Sequence, residues 1–127
     1  MAEPPADERL VTMRRFLDGF NNHDVESIMA FFTDDCEFDT PRGPTPYGRQ
    51  LRGKEEVRRG IAARFEGIPD VHYGDDCHWC AGDRGVSEWT LTGTTVDGKT
   101  IEVRGCDLFE FVGDKIKRKD SFWKIVE

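Results

Sequence analysis

The sequence predicts an α+β protein in which three N-terminal helices cover one face of a curved, mainly antiparallel β-sheet. Three observations carry that expectation. Apolar residues recur at helical spacing in the first part of the chain, and strand-like segments fill everything from residue 70 onward. Two reversals, Asp97-Gly98 and Gly113-Asp114, sit where hairpins would turn. A curved sheet closed by helices makes a cone, and a cone encloses a pocket.

The elements follow in order. Leu10, Met13, Leu17 and Phe20, with Phe16 beside them, form the stripe of an amphipathic helix over residues 8 to 21. "NNHD" breaks it, and Asp24 is placed to cap a second short helix bearing Val25, Ile28, Met29 and Phe32. A short strand through Cys36, Phe38 and Thr40 comes next. "PRGPTPYGRQLRG" is a loop whose length suits a cover over a pocket. The third helix is expected from about Lys54 to Phe65, with Val57, Ile61 and Phe65 inward and Gly60 weakening it slightly. The remaining β segments are "VHYGDDCHWC", "GVSEWTLTGTTV", "TIEVRGCDLFEF" and "IKRKDSFWKIVE".

A length of 127 residues fits one domain spanning the chain. The acidic, proline-containing start is expected to leave residues 1–7 as a flexible tail. It has neither the basic stretch nor the apolar core of a signal peptide, and no segment is long enough to span a bilayer, so the cytoplasm is the expected location. The net charge of −7 disfavours a nucleic-acid partner. Arg49, Arg52, Lys54, Arg58 and Arg59, interrupted by Glu55 and Glu56, read as a solvated helix face.

Of the cysteines Cys36, Cys77, Cys80 and Cys106, two form a C-x-x-C. A redox pair normally opens a helix, and a zinc site needs a second ligand pair. The flanks here read as strand and turn, which sends Cys77 and Cys80 to opposite faces. Packed or half-exposed thiols are the expectation. His23 reads as structural, and His72 and His78 as structural or surface residues, with His72 also able to pair with an acid as a proton shuttle.

One strand carries an anomaly. In "IEVRGCDLFEF", Ile101, Val103, Gly105, Asp107, Phe109 and Phe111 share a face, which puts a carboxylate among apolar side chains. Such an acid must be protonated or partnered. It is either a pocket-lining neutral acid or a buried group bonded to a backbone amide, a bulge or Arg104.

"RRFLDGFNNHDVESIMAFFTDDCEFDTP" and "RGCDLFEFVGDKIKRKDSFW" together resemble the NTF2-like superfamily, especially its SnoaL-like branch. The resemblance runs from Arg9 to Trp123 and covers ketosteroid isomerase, limonene epoxide hydrolase and the SnoaL-type polyketide cyclases. It implies a cone fold, a homodimer and a pocket for a small apolar organic ligand, with no metal or organic cofactor. Asp107 falls where ketosteroid isomerase keeps a protonated acid, but Phe16 replaces the isomerase tyrosine and Thr40 its second aspartate; Asp39, one residue off, should face the other way. For the epoxide hydrolase, Asp120 matches one aspartate, while Trp89 and Leu91 stand where the arginine and first aspartate belong. The cyclase template implies Asp120 as the acid/base.

The resemblance therefore implies Asp107 and Asp120 as catalytic groups of an isomerase or cyclase acting by proton transfer on a small apolar carbonyl or polycyclic compound. Phe16, Thr40, Tyr47, Trp89, Phe109 and Trp123 are the expected ligand-binding residues. Strand parity separates Asp120 from Trp123, so both can face the pocket only if a bulge intervenes. The same cavity could serve a non-catalytic binder, and the outward set Glu102, Arg104, Cys106, Leu108 and Glu110 could serve an association module.

Overall fold

The protein, described by a computed structural model over residues 5–127, is built on a six-stranded sheet in the order β2-β1-β6-β5-β4-β3. Along the chain run α1 (Pro5–Asn21), α2 (Val25–Met29), β1 (Phe32–Asp39), β2 (Gln50–Arg52), α3 (Gly53–Gly67), β3 (His72–Ala81), β4 (Arg84–Thr94), β5 (Thr100–Val112) and β6 (Lys115–Trp123). Of the expected tail, residues 1–4 lie outside the described residues, and residues 5–7 already belong to α1.

Three helices are present, but they are not all N-terminal, because α3 follows β1 and β2. Phe32 starts β1 rather than ending α2. The segment read as continuous loop contains β2, which pairs antiparallel with β1 through Phe38 and Leu51. Every neighbouring pair is antiparallel except β1 with β6.

Local chemistry explains the helix boundaries. The Asp24 carboxylate accepts from the Ser27 N–H at 3.2 Å and caps α2. At the end of α1, the Asn21 amide donates to the Tyr73 carbonyl (3.0 Å) and accepts from the Tyr73 N–H (2.8 Å). That exchange fixes the helix end to β3 and sets where Tyr73 stands. Gly60 has a reason that helix propensity hides: a Cβ there would lie 2.3 Å from Leu51 Cδ1, so its absence lets α3 sit close on the sheet.

The core fills one face of the sheet. Met13, Phe16, Leu17 and Phe20 of α1, Val57 and Ile61 of α3, and Trp89, Leu91, Phe109 and Ile116 of the strands are buried together. Alternation along β5 holds, with Val103, Asp107, Phe109 and Phe111 all inward.

A one-residue bulge decides β6. Glu110 stands opposite Arg118 while Phe111 stands opposite Ile116, leaving Lys117 without a facing partner. Beyond the bulge Lys119 and Ser121 turn inward, while Asp120 stands outward opposite the exposed Leu108.

Gly105 makes room for the largest buried side chain. It faces Trp89 across β4 and β5, and a Cβ there would come 2.5 Å from the indole and 2.4 Å from the Phe122 carbonyl. Gly105→Ala should therefore destabilise the fold by about 1–3 kcal/mol, the usual range for overpacking, with a red-shifted or broadened tryptophan emission as the buried Trp89 is displaced. Urea unfolding followed by fluorescence measures both; an unchanged midpoint would show that the ring has slack.

Candidate active site

The buried carboxylate of β5 has partners on three sides. The Trp89 indole N–H donates to Asp107 Oδ2 at 3.1 Å, the Ser121 hydroxyl donates to Oδ1 at 2.5 Å, and Lys119 Nζ lies 3.1 Å from Oδ1. Lys119 also donates to Ser121 Oγ at 2.6 Å, closing a triangle of amine, hydroxyl and carboxylate. β5 and β6 impose this arrangement, since Asp107 and Ser121 are register partners and Lys119 precedes Ser121 by two on the same face. Arg104, which nearness along the chain offers as a partner for the acid, instead bonds Thr90 on the outer face.

The lysine is as buried as the acid, with side-chain exposures of 6% and 4%. Its Nζ lies 4.3 Å from the centre of the Phe38 ring and 5.4 Å from that of Phe20. Burial pulls the Lys119 ammonium below the ordinary lysine value, and Asp107 pulls it partly back up. Burial likewise pushes the Tyr73 phenol upward, which keeps it a neutral hydrogen-bond donor.

Lys119, Ser121, Tyr73, Trp89 and Trp123 line a small cavity between sheet and helices, with Arg64 in its wall. Its volume is about 10 Å³, room for roughly one water. The hollow expected inside the cone is thus nearly filled in this conformation. Arg64 lies over the Trp123 ring at 4.5 Å, and it also lines an outer groove of about 560 Å³ beside α3 and the loop after β1. Arg64 and Trp123 are therefore the side chains that would have to part for the cavity to open outward.

The expected site residues divide. Trp89 and Trp123 line the cavity, and Asp107 stands one layer behind it, reaching it through Lys119, Ser121 and Trp89. Thr40 lines the outer groove. Phe16 and Phe109 pack against each other at 5.6 Å within the aromatic core and do not line the cavity. Tyr47, expected on a cover, is 64% exposed.

Asp120 does not join Asp107. It lies on the other face of β6, 3.4 Å from Arg118, whose guanidinium also holds Asp39 (2.6 Å) and Glu110 (2.9 Å). Burial raises the Asp120 carboxyl, against the pull of Arg118. Asp39 faces away from the cavity, as parity requires, and Arg52 reaches it from β2 at 3.2 Å.

Sequence reasoning missed Lys119, Ser121, Tyr73 and Arg64. For the first two a signal was present, since both share a strand face with Trp123. The histidine paired with an acid is His78 rather than His72: Nε2 lies 2.7 Å from Asp76 Oδ2 and Nδ1 2.7 Å from Ser87 Oγ. This is the order of a nucleophile, base and orienting acid. Ser87 is 2% exposed and lines neither the cavity nor the groove. Cys77 and Cys80 stand on opposite faces of β3, opposite Glu88 and Gly85 respectively. Among the described residues no three His, Cys, Asp or Glu side chains gather as a metal site.

The profile of the SnoaL-like domain family matches residues 13–119, nearly the whole of the sheet and helices just described. The chain belongs to the SnoaL-like family. Solved structures of the same shape include a candidate polyketide cyclase from Xanthomonas campestris, at 16% identity and TM-score 0.84, covering 95% of this chain and 93% of that one. A candidate SnoaL-like polyketide cyclase from Jannaschia sp. CCS1 has 18% identity and TM-score 0.84, covering 98% and 90%. An NTF2-like protein of unknown function from Mesorhizobium loti has 22% identity and TM-score 0.79, covering 98% of each chain. At such identities the likeness speaks for the fold. No curated protein matches the chain.

Within this SnoaL-like framework the Lys119–Asp107 pair makes a specific energetic demand. Removing one partner strands the other charge away from water, at about 3–5 kcal/mol, whereas removing both deletes the demand. Lys119→Met and Asp107→Asn should each be strongly destabilising, and the double variant should recover a large part of the loss. Chemical denaturation of all four proteins gives the coupling; strictly additive losses would mean that the two side chains do not act as a pair.

Proposed function

We propose that this SnoaL-like protein is a cytoplasmic, cofactor-independent isomerase or cyclase that moves a proton next to a carbonyl group, with Lys119 as the acid/base. The observation that carries the reading is a buried amine lining an apolar cavity, held by a carboxylate that itself stays behind the wall. A desolvated amine is a far better base at moderate pH than an exposed one.

The step balances without an outside reagent. The Lys119 amine takes the α-proton, and the C–H electron pair becomes the enolate. The developing oxygen charge meets the Tyr73 hydroxyl and the Arg64 guanidinium, both in the cavity wall. The ammonium then returns its proton to another carbon in an isomerisation. In a ring closure the enolate carbon attacks a second carbonyl, and the ammonium protonates the new alkoxide. Asp107 positions the amine and stabilises its charged form; Asp120, on the outer face, takes no part. The cavity must widen for substrate, and displacement of Trp123 with Arg64 is the route the packing offers.

Wild-type protein should catalyse α-hydrogen exchange in enolisable ketones in D2O, read by proton NMR, and Lys119→Met should abolish it, alone and in the stabler combination with Asp107→Asn. The neutral amine is the working form, so activity rises with pH through a Lys119 pKa that burial places below 10.5. Asp107 raises that pKa, so Asp107→Asn should move the rising limb to lower pH, and Asp120→Asn should move it the same way by less. Exchange equally fast in wild type and Lys119→Met would overturn the reading.

A homodimer is the second part of the proposal, favoured by the outer sheet face. Trp79, Val86 and Leu108 stand in register there, and Cys106 stands opposite Phe122. Trp79, Leu108 and Phe122 are 51%, 41% and 48% exposed, an apolar strip of the kind that pairs isologously. Light scattering should give twice the chain mass, and Leu108→Glu with Phe122→Glu should give a folded monomer. A wild-type monomer at high concentration would remove this part alone.

A further inference from the structure

The groove outside the cavity has an unusual lining for a chain of net charge −7. Arg42 and Arg49 from the loop, and Arg59 and Arg64 from α3, share it with a single acid, Glu56. That acid is engaged, accepting from the Arg52 N–H at 2.9 Å. Arg59 has only a loose contact with Glu55 at 3.8 Å, on the exposed side of α3. The Arg42 and Arg49 guanidiniums have no carboxylate partner among the described residues. By contrast Arg52, Arg58, Arg84, Arg104 and Arg118 all pair with acids.

The loop is also held in place. Thr40 bonds both ends of it: its hydroxyl donates to the Arg42 carbonyl at 2.7 Å and accepts from the Arg49 N–H at 2.9 Å, and its own N–H donates to the Arg49 carbonyl at 3.0 Å. Gly48 completes the clamp at φ +76°, where a Cβ would sit 1.8 Å from the Thr40 carbonyl oxygen. The backbone that carries two unneutralised arginines is thus held stiffly at the edge of a groove of about 560 Å³. Guanidiniums so placed recognise carboxylate or phosphate oxygens through paired N–H donors. A net negative protein repels anions at long range, so a local basic groove is what would draw one in.

We propose that this groove is an oxyanion-binding subsite, and that the substrate is an organic anion. Its carboxylate or phosphate group lies between Arg42, Arg49 and Arg59, and its uncharged carbonyl end passes Arg64 toward Lys119. The assignment of the carbonyl end rests on the proton-transfer reading; the anion subsite stands without it. The small apolar ligand expected from family resemblance is thereby refined to one with an apolar body and a charged end.

The test titrates inorganic phosphate, succinate and the neutral dimethyl ester of succinate into the full chain, followed by calorimetry and arginine side-chain NMR. At least one of the two anions should bind, the ester should not, and the stronger anion identifies which oxyanion the groove takes. Arg42→Ala with Arg49→Ala should weaken that binding by at least about tenfold. Thr40→Val should weaken it with both guanidiniums still present, and Arg14→Ala with Arg15→Ala, on exposed α1 positions, should leave it unchanged. The Lys119→Met, Asp107→Asn double variant, which removes the buried pair as a unit, should lack exchange activity yet still bind the anion, so a failed exchange assay leaves the subsite standing. Equal binding by wild type and the Arg42/Arg49 double variant, equal binding of the ester, or no binding of either anion would overturn it.

Discussion

The meeting of Lys119 and Asp107 inside the sheet's covered face is the constraint around which the rest of the molecule is arranged. Two opposite charges with almost no exposure must be close together and hydrogen-bonded, or the fold loses a large share of a typical domain's stability. Their spacing requires β5 and β6 to hold one register, which the bulge at Lys117 sets. The Trp89 indole satisfies the remaining carboxylate oxygen, and Gly105 leaves the space in which that ring lies. The phenylalanine rings against the amine complete a surround that keeps water out. Cavity, aromatic packing and strand register are therefore one problem solved together.

Much of this is legible in the sequence, and the limits have identifiable causes. Helix periodicity locates α1 and α3, and turn chemistry locates the hairpins, because both signals are local. Strand parity places Asp107 inward for the same reason. Parity cannot place Asp120, because a single extra residue reverses it and nothing in "KIKRKD" marks where that residue falls. Lys119 is obscured by its type: a lysine beside an arginine and an aspartate looks like a solvated charge run, and the face it shares with Trp123 is outweighed by that appearance. Of the two strands ahead of the third helix, β1 shows in the pattern, while β2 spans only Gln50–Arg52, too short for one.

The two faces of the sheet divide the chemistry. Inside stands one cation–anion pair in an apolar setting. Outside, Arg118 gathers Asp39, Glu110 and Asp120 into a network beside the exposed Leu108 and Phe122. The two aspartates that the resemblance implies as catalytic, Asp107 and Asp120, thus stand on opposite faces, one buried and one beside exposed apolar side chains. Family position alone would have merged them. The thickness of the sheet separates them.

The bulge at Lys117 has a consequence for how such proteins diversify. Drawing Lys117 into the ladder opposite Glu110, so that the bulge is lost and no residue removed, would rotate every later side chain of β6 by half a turn, exchanging Lys119 and Ser121 for Arg118, Asp120 and Phe122 as the inward set. A lineage could in this way trade an amine for a carboxylate at the cavity wall without altering a single codon there. Shape would be inherited intact while the reagent on offer changed, so an alignment that counts columns without counting bulges would compare residues that never occupied the same space.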